Sequence, residues 1–188
     1  MRKKTMEQTP KANVYSNAFT IYTAGPIDLG EDFKEWRKNF ITEFALLYEN
    51  VPVTLFDPSS AYKHAHWGVK TADLSHTVRA EYISKANESA LLNADIMLVS
   101  LPAGVQSVGT ILEMKLAKEA GVPMYLMTDI PAGRSAYLDL LIDDDRRFNC
   151  LTMDDLHLLI HAIVADVRQM GTRSAGSIPM AKPYEVAP

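Results

Sequence analysis

Leu101-Pro-Ala-Gly-Val-Gln-Ser-Val-Gly-Thr-Ile-Leu-Glu113 holds the densest chemistry in the sequence. An apolar run, Ala94–Ser100, feeds a loop with two glycines, and the loop opens a helical pattern. The first N–H groups of a helix have no partner within it. Together with the Ser107 and Thr110 hydroxyls and the backbone at Gly109 they make a seat for an anion. Glu113 follows about one turn into that helix. A carboxylate placed there can attack an electrophilic sugar carbon and form a covalent glycosyl intermediate. Periodicity alone also fits a solvated glutamate favoured by the helix dipole. A Gly-bearing loop at a helix start is weakly specific.

Other chemistry-bearing residues group at the ends of apolar runs. Phe19-Thr-Ile-Tyr-Thr23 ends at Ala24-Gly25-Pro26 with Asp28 beyond, and Val51–Phe56 stops at Asp57-Pro58. Asp57-Pro58 is equally an ordinary strand-ending turn. His64, His66 and His76 lack a Cys or carboxylate at ligand spacing, so a loop is expected rather than a metal site. Tyr62 and Trp67 share that loop and could stack on a base. Asp143-Asp-Asp145 followed by Arg146-Arg147 reads as a solvated turn, and the lone Cys150 as packing.

These residues need a scaffold, and the periodicity supplies one. Phe33, Trp36, Phe40, Phe44 and Leu47 recur at three- and four-residue steps, which predicts a helix with one apolar face. Val78–Leu92 is helical in pattern. Thr110–Ala120 is a helix closed by Gly121. A final helix starts at the N-cap Thr152, with Asp155 three residues on, and runs to about Met170. Strands are expected at Phe19–Thr23, Val51–Phe56, Ala94–Ser100, Val122–Met127 and weakly at Phe148–Leu151. Residues 59–77 form a long loop. Strands alternating with helices predict an α/β fold: one doubly wound, mostly parallel five-stranded sheet with helices on both faces. Ligands bind such sheets at the carboxyl ends of the strands, which is where these residues gather.

The bulk numbers bound the answer. The 188 residues suit one domain, read as residues 18–170 between tails at 1–17 and 171–188. A net charge of −4 argues against a duplex nucleic-acid partner. One cysteine fits a reducing cytoplasm, no apolar run reaches membrane length, and Met1–Asn17 has no signal-peptide core.

Ile21-Tyr-Thr-Ala-Gly-Pro-Ile-Asp28, Trp36, Phe56-Asp-Pro58, Asn93-Ala-Asp95 and Ser107-Val-Gly-Thr-Ile-Leu-Glu113 with Ala117 and Gly121 together resemble the nucleoside 2-deoxyribosyltransferase superfamily. The resemblance covers roughly Phe19 to Asp129. In motif it is strongest toward the nucleoside 5′-monophosphate N-glycosidases, including the hydroxymethyl-CMP hydrolases. It implies the doubly wound fold, no cofactor, a small nucleoside or nucleotide as partner, and a homodimer or larger homo-oligomer. It implies Glu113 as nucleophile and Tyr22 as the residue that orients it. Gly25-Pro26 would let the backbone approach sugar or base, Asp95 would be structural, and Asn149 could reach a neighbour's site. Ser107, six residues before Glu113, matches a phosphate-binding serine where the free-nucleoside transferases carry an aspartate. Asn87 stands where several members carry an acid that protonates the leaving base. An amide cannot deliver a proton, which leaves Asp28 and Asp57 as candidates. The readings kept beside hydrolysis are base exchange, a lysine-decarboxylase-like phosphoribohydrolase and a non-catalytic nucleotide sensor. The phosphoribohydrolase loop is richer in glycine, and the Tyr22 block does not suit it.

Overall fold

The computed structural model describes residues 19–26, 32–49, 51–58, 75–105, 107–149 and 152–170. Strands β1 (Phe19–Ala24), β2 (Val53–Phe56), β3 (Ile96–Ser100), β4 (Met124–Met127) and β5 (Arg147–Phe148) form one sheet in the order β2-β1-β3-β4-β5. Every pairing is parallel, with Tyr22 beside Phe56 on one side and Met97 on the other. Helices α1 (Asp32–Leu47), α2 (His76–Leu92), α3 (Val108–Ala120), α4 (Ala136–Leu141) and α5 (Met153–Met170) accompany it. The expected doubly wound parallel sheet is therefore present.

Parallel strands covered on both faces carry apolar residues throughout, and β3 and β4 are buried along their whole length. Alternate residues divide between two cores. Tyr22, Ala24, Met97 and Val99 pack with Leu91, Met114 and Ala117 of α2 and α3. Ile21, Ile96 and Leu98 pack with Phe40 and Phe44 of α1 and Leu159, Ile160 and Ile163 of α5. The chain reverses its winding direction between β1 and β3, so the crevice for a ligand opens where these two strands end.

The helix ends follow local rules. Ser107 is the N-cap of α3 and accepts from the Thr110 N–H, while Gly121 closes the helix at φ 71°. At α5, Thr152 Oγ1 accepts from Asp155 N at 3.2 Å, and Asp155 Oδ2 accepts from Thr152 N at 3.2 Å. This is the reciprocal box expected from the spacing. Asp95 Oδ2 accepts from Thr20 N at 2.8 Å, fixing the entry to β3 against β1 in the structural role expected of it.

One element was not expected and one expectation is corrected. Ala136–Leu141 forms α4, with Ser135 as N-cap; it lasts only six residues after a stretch rich in Pro and Gly, too short to show a period. Asp143–Arg147 is not a solvated turn. Asp144–Arg146 is a 3-10 turn, Arg146 Nη2 pairs with Asp166 at 2.8 Å, and Arg147 is buried, with Nη1 2.7 Å from Asp139. The long aliphatic stems of the two arginines let charged residues anchor a turn to the sheet. Asp28, Tyr62, His64, His66, Trp67 and Cys150 lie outside the described residues.

Candidate active site

Glu113 reaches the sheet because α3 buries one stripe. Thr110, Met114 and Ala117 are its buried residues, and Glu113 stands three residues after the first and four before the last. That stripe meets β1, where Tyr22 is fully buried. Tyr22 Oη donates to Glu113 Oε1 at 2.7 Å. The phenol ring is fixed in turn, stacked on Phe56 with centroids 5.5 Å apart and planes 13° from parallel. A carboxylate that accepts from one rigid hydroxyl keeps its other oxygen for a reacting atom.

Burial pushes the Glu113 carboxyl above the ordinary carboxylate range; the Tyr22 hydrogen bond and the Arg37 charge pull it back. Tyr22 and Arg37 thus favour the ionised form, the one a nucleophile needs, against the desolvation of the carboxyl.

Arg37 was not singled out from the sequence. It lies on α1, 5% exposed. Its Nε donates to Thr23 Oγ1 at 3.1 Å and sits 3.3 Å from Asp57 Oδ1. Thr23 Oγ1 donates onward to the Phe56 carbonyl at 2.9 Å. Burial pushes the Arg37 pKa down, opposed by Asp57, Glu113 and Tyr22 in that order. A signal existed: position 37 falls four residues after Phe33 and three before Phe40, inside the apolar stripe of α1, where a charge needs a reason.

A cleft of about 490 Å3 lies between α2 and α3, and Glu113, Gly109, Asn87, Ser84, Glu88 and Arg79 line it. Asn87 Oδ1 is buried there without a hydrogen-bond partner among the described residues. Ser107 lies at the mouth of α3, its hydroxyl 2.7 Å from that of Thr110. Thr110 itself is buried, and its hydroxyl is taken up by Ser107. Another recess, of about 400 Å3 beside Gly133, Asp139 and Asp143, includes none of these residues.

Gly25 and Pro26 are buried at the end of β1. A Cβ on Gly25 would come within 2.8 Å of the Ser100 carbonyl and 3.6 Å of the Trp36 ring. The glycine is thus required for the close approach of β1 and β3. Asp57, a candidate acid for the leaving base, has its Oδ1 3.3 Å from the buried Arg37 Nε. Glu113, Asn87 and Gly109 line one cleft, Tyr22 bonds to Glu113, and Ser107 stands at the start of the same helix. Asn149 is exposed after β5. Among the described residues no group of three His, Cys, Asp or Glu side chains could hold a metal ion, and no helix is long and apolar enough to cross a membrane.

No family model matches the chain, and no curated protein matches it. Solved structures similar to it include a 2-deoxyribosyltransferase from Bacillus psychrosaccharolyticus, 19% identical, covering 69% of this chain and 82% of that one at a TM-score of 0.48. A conserved protein from Enterococcus faecalis V583 is 17% identical, covering 81% and 99% at 0.47. A 2-desoxiribosyltransferase from Leishmania mexicana is 16% identical, covering 76% and 97% at 0.49. The fold described here rests on the chain's own strand order and registers.

Proposed function

We propose that this protein is an N-glycosidase that hydrolyses the base–sugar bond of a nucleoside or deoxynucleoside 5′-monophosphate through a glycosyl-enzyme on Glu113. The observation that carries the reading is the 2.7 Å hydrogen bond from buried Tyr22 to the half-buried Glu113, at the rim of a cleft of nucleoside size. A sensor would need a pocket but no oriented, desolvated carboxylate.

In this reading the Glu113 oxygen attacks the anomeric carbon as the base departs, and water then releases the sugar and restores the carboxylate. Ser107 and the first N–H groups of α3 receive the phosphate. A neutral hydroxyl suits that dianion, where an aspartate would repel it. Asn87 hydrogen-bonds the base. With Asn87 an amide and Asp57 engaged by Arg37, the site fits a base that leaves with little help from an acid, such as a pyrimidine or a modified pyrimidine. A panel of nucleosides and 5′-monophosphates, scored for free base by chromatography, tests this. Release from monophosphates supports the reading. Release only when a second free base is present would replace hydrolysis with base exchange. Tight binding without release from any compound would leave the sensor.

A further inference from the structure

We propose that Arg37 is the positioning residue of the Glu113–Tyr22 pair, a buried cation that clamps the ends of β1 and β2 behind Tyr22 and places a positive charge on the opposite face of the sheet from the carboxylate. The proposal rests on Glu113 being the working carboxylate of this site.

The clamp is visible in the contacts. Arg37 Nε holds Thr23 Oγ1 at 3.1 Å, and Thr23 Oγ1 holds the Phe56 carbonyl at 2.9 Å. Thr23 follows Tyr22 in β1, and Phe56 stacks on the Tyr22 ring at 5.5 Å. Arg37 therefore fixes the backbone on one side of Tyr22 and the residue that supports its ring. Asp57, next after Phe56, completes the grip at 3.3 Å from Nε. Side chains alternate along a strand, so Thr23 and Arg37 lie on the α1 face while Tyr22 and Glu113 lie on the α3 face.

The charge is visible in what the guanidinium lacks. Arg37 is 5% exposed, yet among the described residues its Nη1 and Nη2 have no hydrogen-bond partner. Burying a guanidinium is costly unless its donors are met. Asp57 meets Nε and the Trp36 ring lies 4.5 Å from the guanidinium carbon, in surroundings that screen the remaining charge poorly. The potential of that charge falls on Glu113 and opposes the effect of its burial. Among the described residues lining the cleft, the other charged groups are Arg79 and Glu88 of α2. They carry opposite signs; Glu88 is exposed, where screening is stronger, and Arg79 is half-buried.

The test reads the Glu113 carboxyl directly, so it does not depend on turnover. Protein labelled with 13C at the glutamate side-chain carboxyls is titrated by NMR, with the Glu113 signal assigned from its loss in Glu113→Gln. In Arg37→Gln the Glu113 titration is expected to move measurably upward, the direction for removing an opposite charge. In Arg37→Lys, which keeps the cation, it is expected to stay near the wild-type position. Where substrate is turned over, the acidic limb of kcat/KM should move with the titration. An unmoved Glu113 titration in folded Arg37→Gln would overturn the proposal. So would an Arg37→Lys protein whose titration moves measurably upward, a comparison that still decides if Arg37→Gln does not fold. Absence of base release in the wild type would instead sink the glycosidase reading and leave this result standing.

Discussion

Tyr22 and Glu113, 91 positions apart in the chain, meet through a 2.7 Å hydrogen bond because β1 and the buried stripe of α3 face each other across one core. The relationship gives Tyr22 two effects on the carboxylate: it fixes the orientation of the carboxyl, and it favours the ionised form. Hydrogen bonds to charged groups contribute about 1.5–3 kcal/mol. Tyr22→Phe is therefore expected to lower kcat roughly 10- to 100-fold. The acidic limb of its pH–rate profile should rise, because the bond that lowers the Glu113 pKa is gone. Steady-state rates of base release across pH check both effects.

Glu113 is held at a cost to the fold. Burial raises its folded pKa above the unfolded value, so the folded protein binds this proton more readily. Stability from this group is fully present below the ordinary carboxylate pKa and is lost as pH rises through the folded value. Glu113→Gln escapes that loss. Its melting temperature is expected to match or exceed that of the wild type at neutral pH, with the gap closing below about pH 4. Thermal unfolding at several pH values reads the sign; a variant less stable at neutral pH than in acid would contradict it.

Ser107 joins a structural and a chemical role, and the two separate by substitution. Ser107→Ala removes the α3 cap and is expected to cost about 1 kcal/mol of stability. Ser107→Asp keeps a good cap but sets a negative charge at the phosphate seat. It should retain stability while losing roughly tenfold or more in kcat/KM for 5′-monophosphates relative to free nucleosides. Denaturant melts and the substrate panel, run on both variants, check the pair.

Thr152 offers a control away from the site. Its exchange of hydrogen bonds with Asp155 starts α5. Thr152→Ala is expected to cost about 1 kcal/mol in denaturant unfolding with kcat unchanged.

Much of this was legible in the sequence, for physical reasons that differ by residue. β3 and β4 are continuous apolar runs because both faces are covered, and they stood out at once. Gly121 and Thr152 mark helix ends through backbone geometry, so their positions read correctly. Glu113 was the reverse case. Its spacing on α3 could not tell a solvated glutamate from a buried one, since the deciding partner, Tyr22, comes from a distant strand. Arg37 was hidden by its own charge: only the aromatic positions of α1 were read as the buried face, and a buried cation breaks that pattern. Asp57 looked like a free acid because its partner sits 20 positions upstream, on a different element. Arg146 and Arg147 looked solvated because a run of charges does not reveal which stems lie against a sheet.

The most direct measurement is release of free base from 5′-monophosphates by wild-type protein and by Glu113→Gln, with both shown folded by circular dichroism. The expected result is base released by the wild type from at least one monophosphate and none above background from the glutamine variant. Base release retained by folded Glu113→Gln would contradict the assignment of Glu113 as nucleophile.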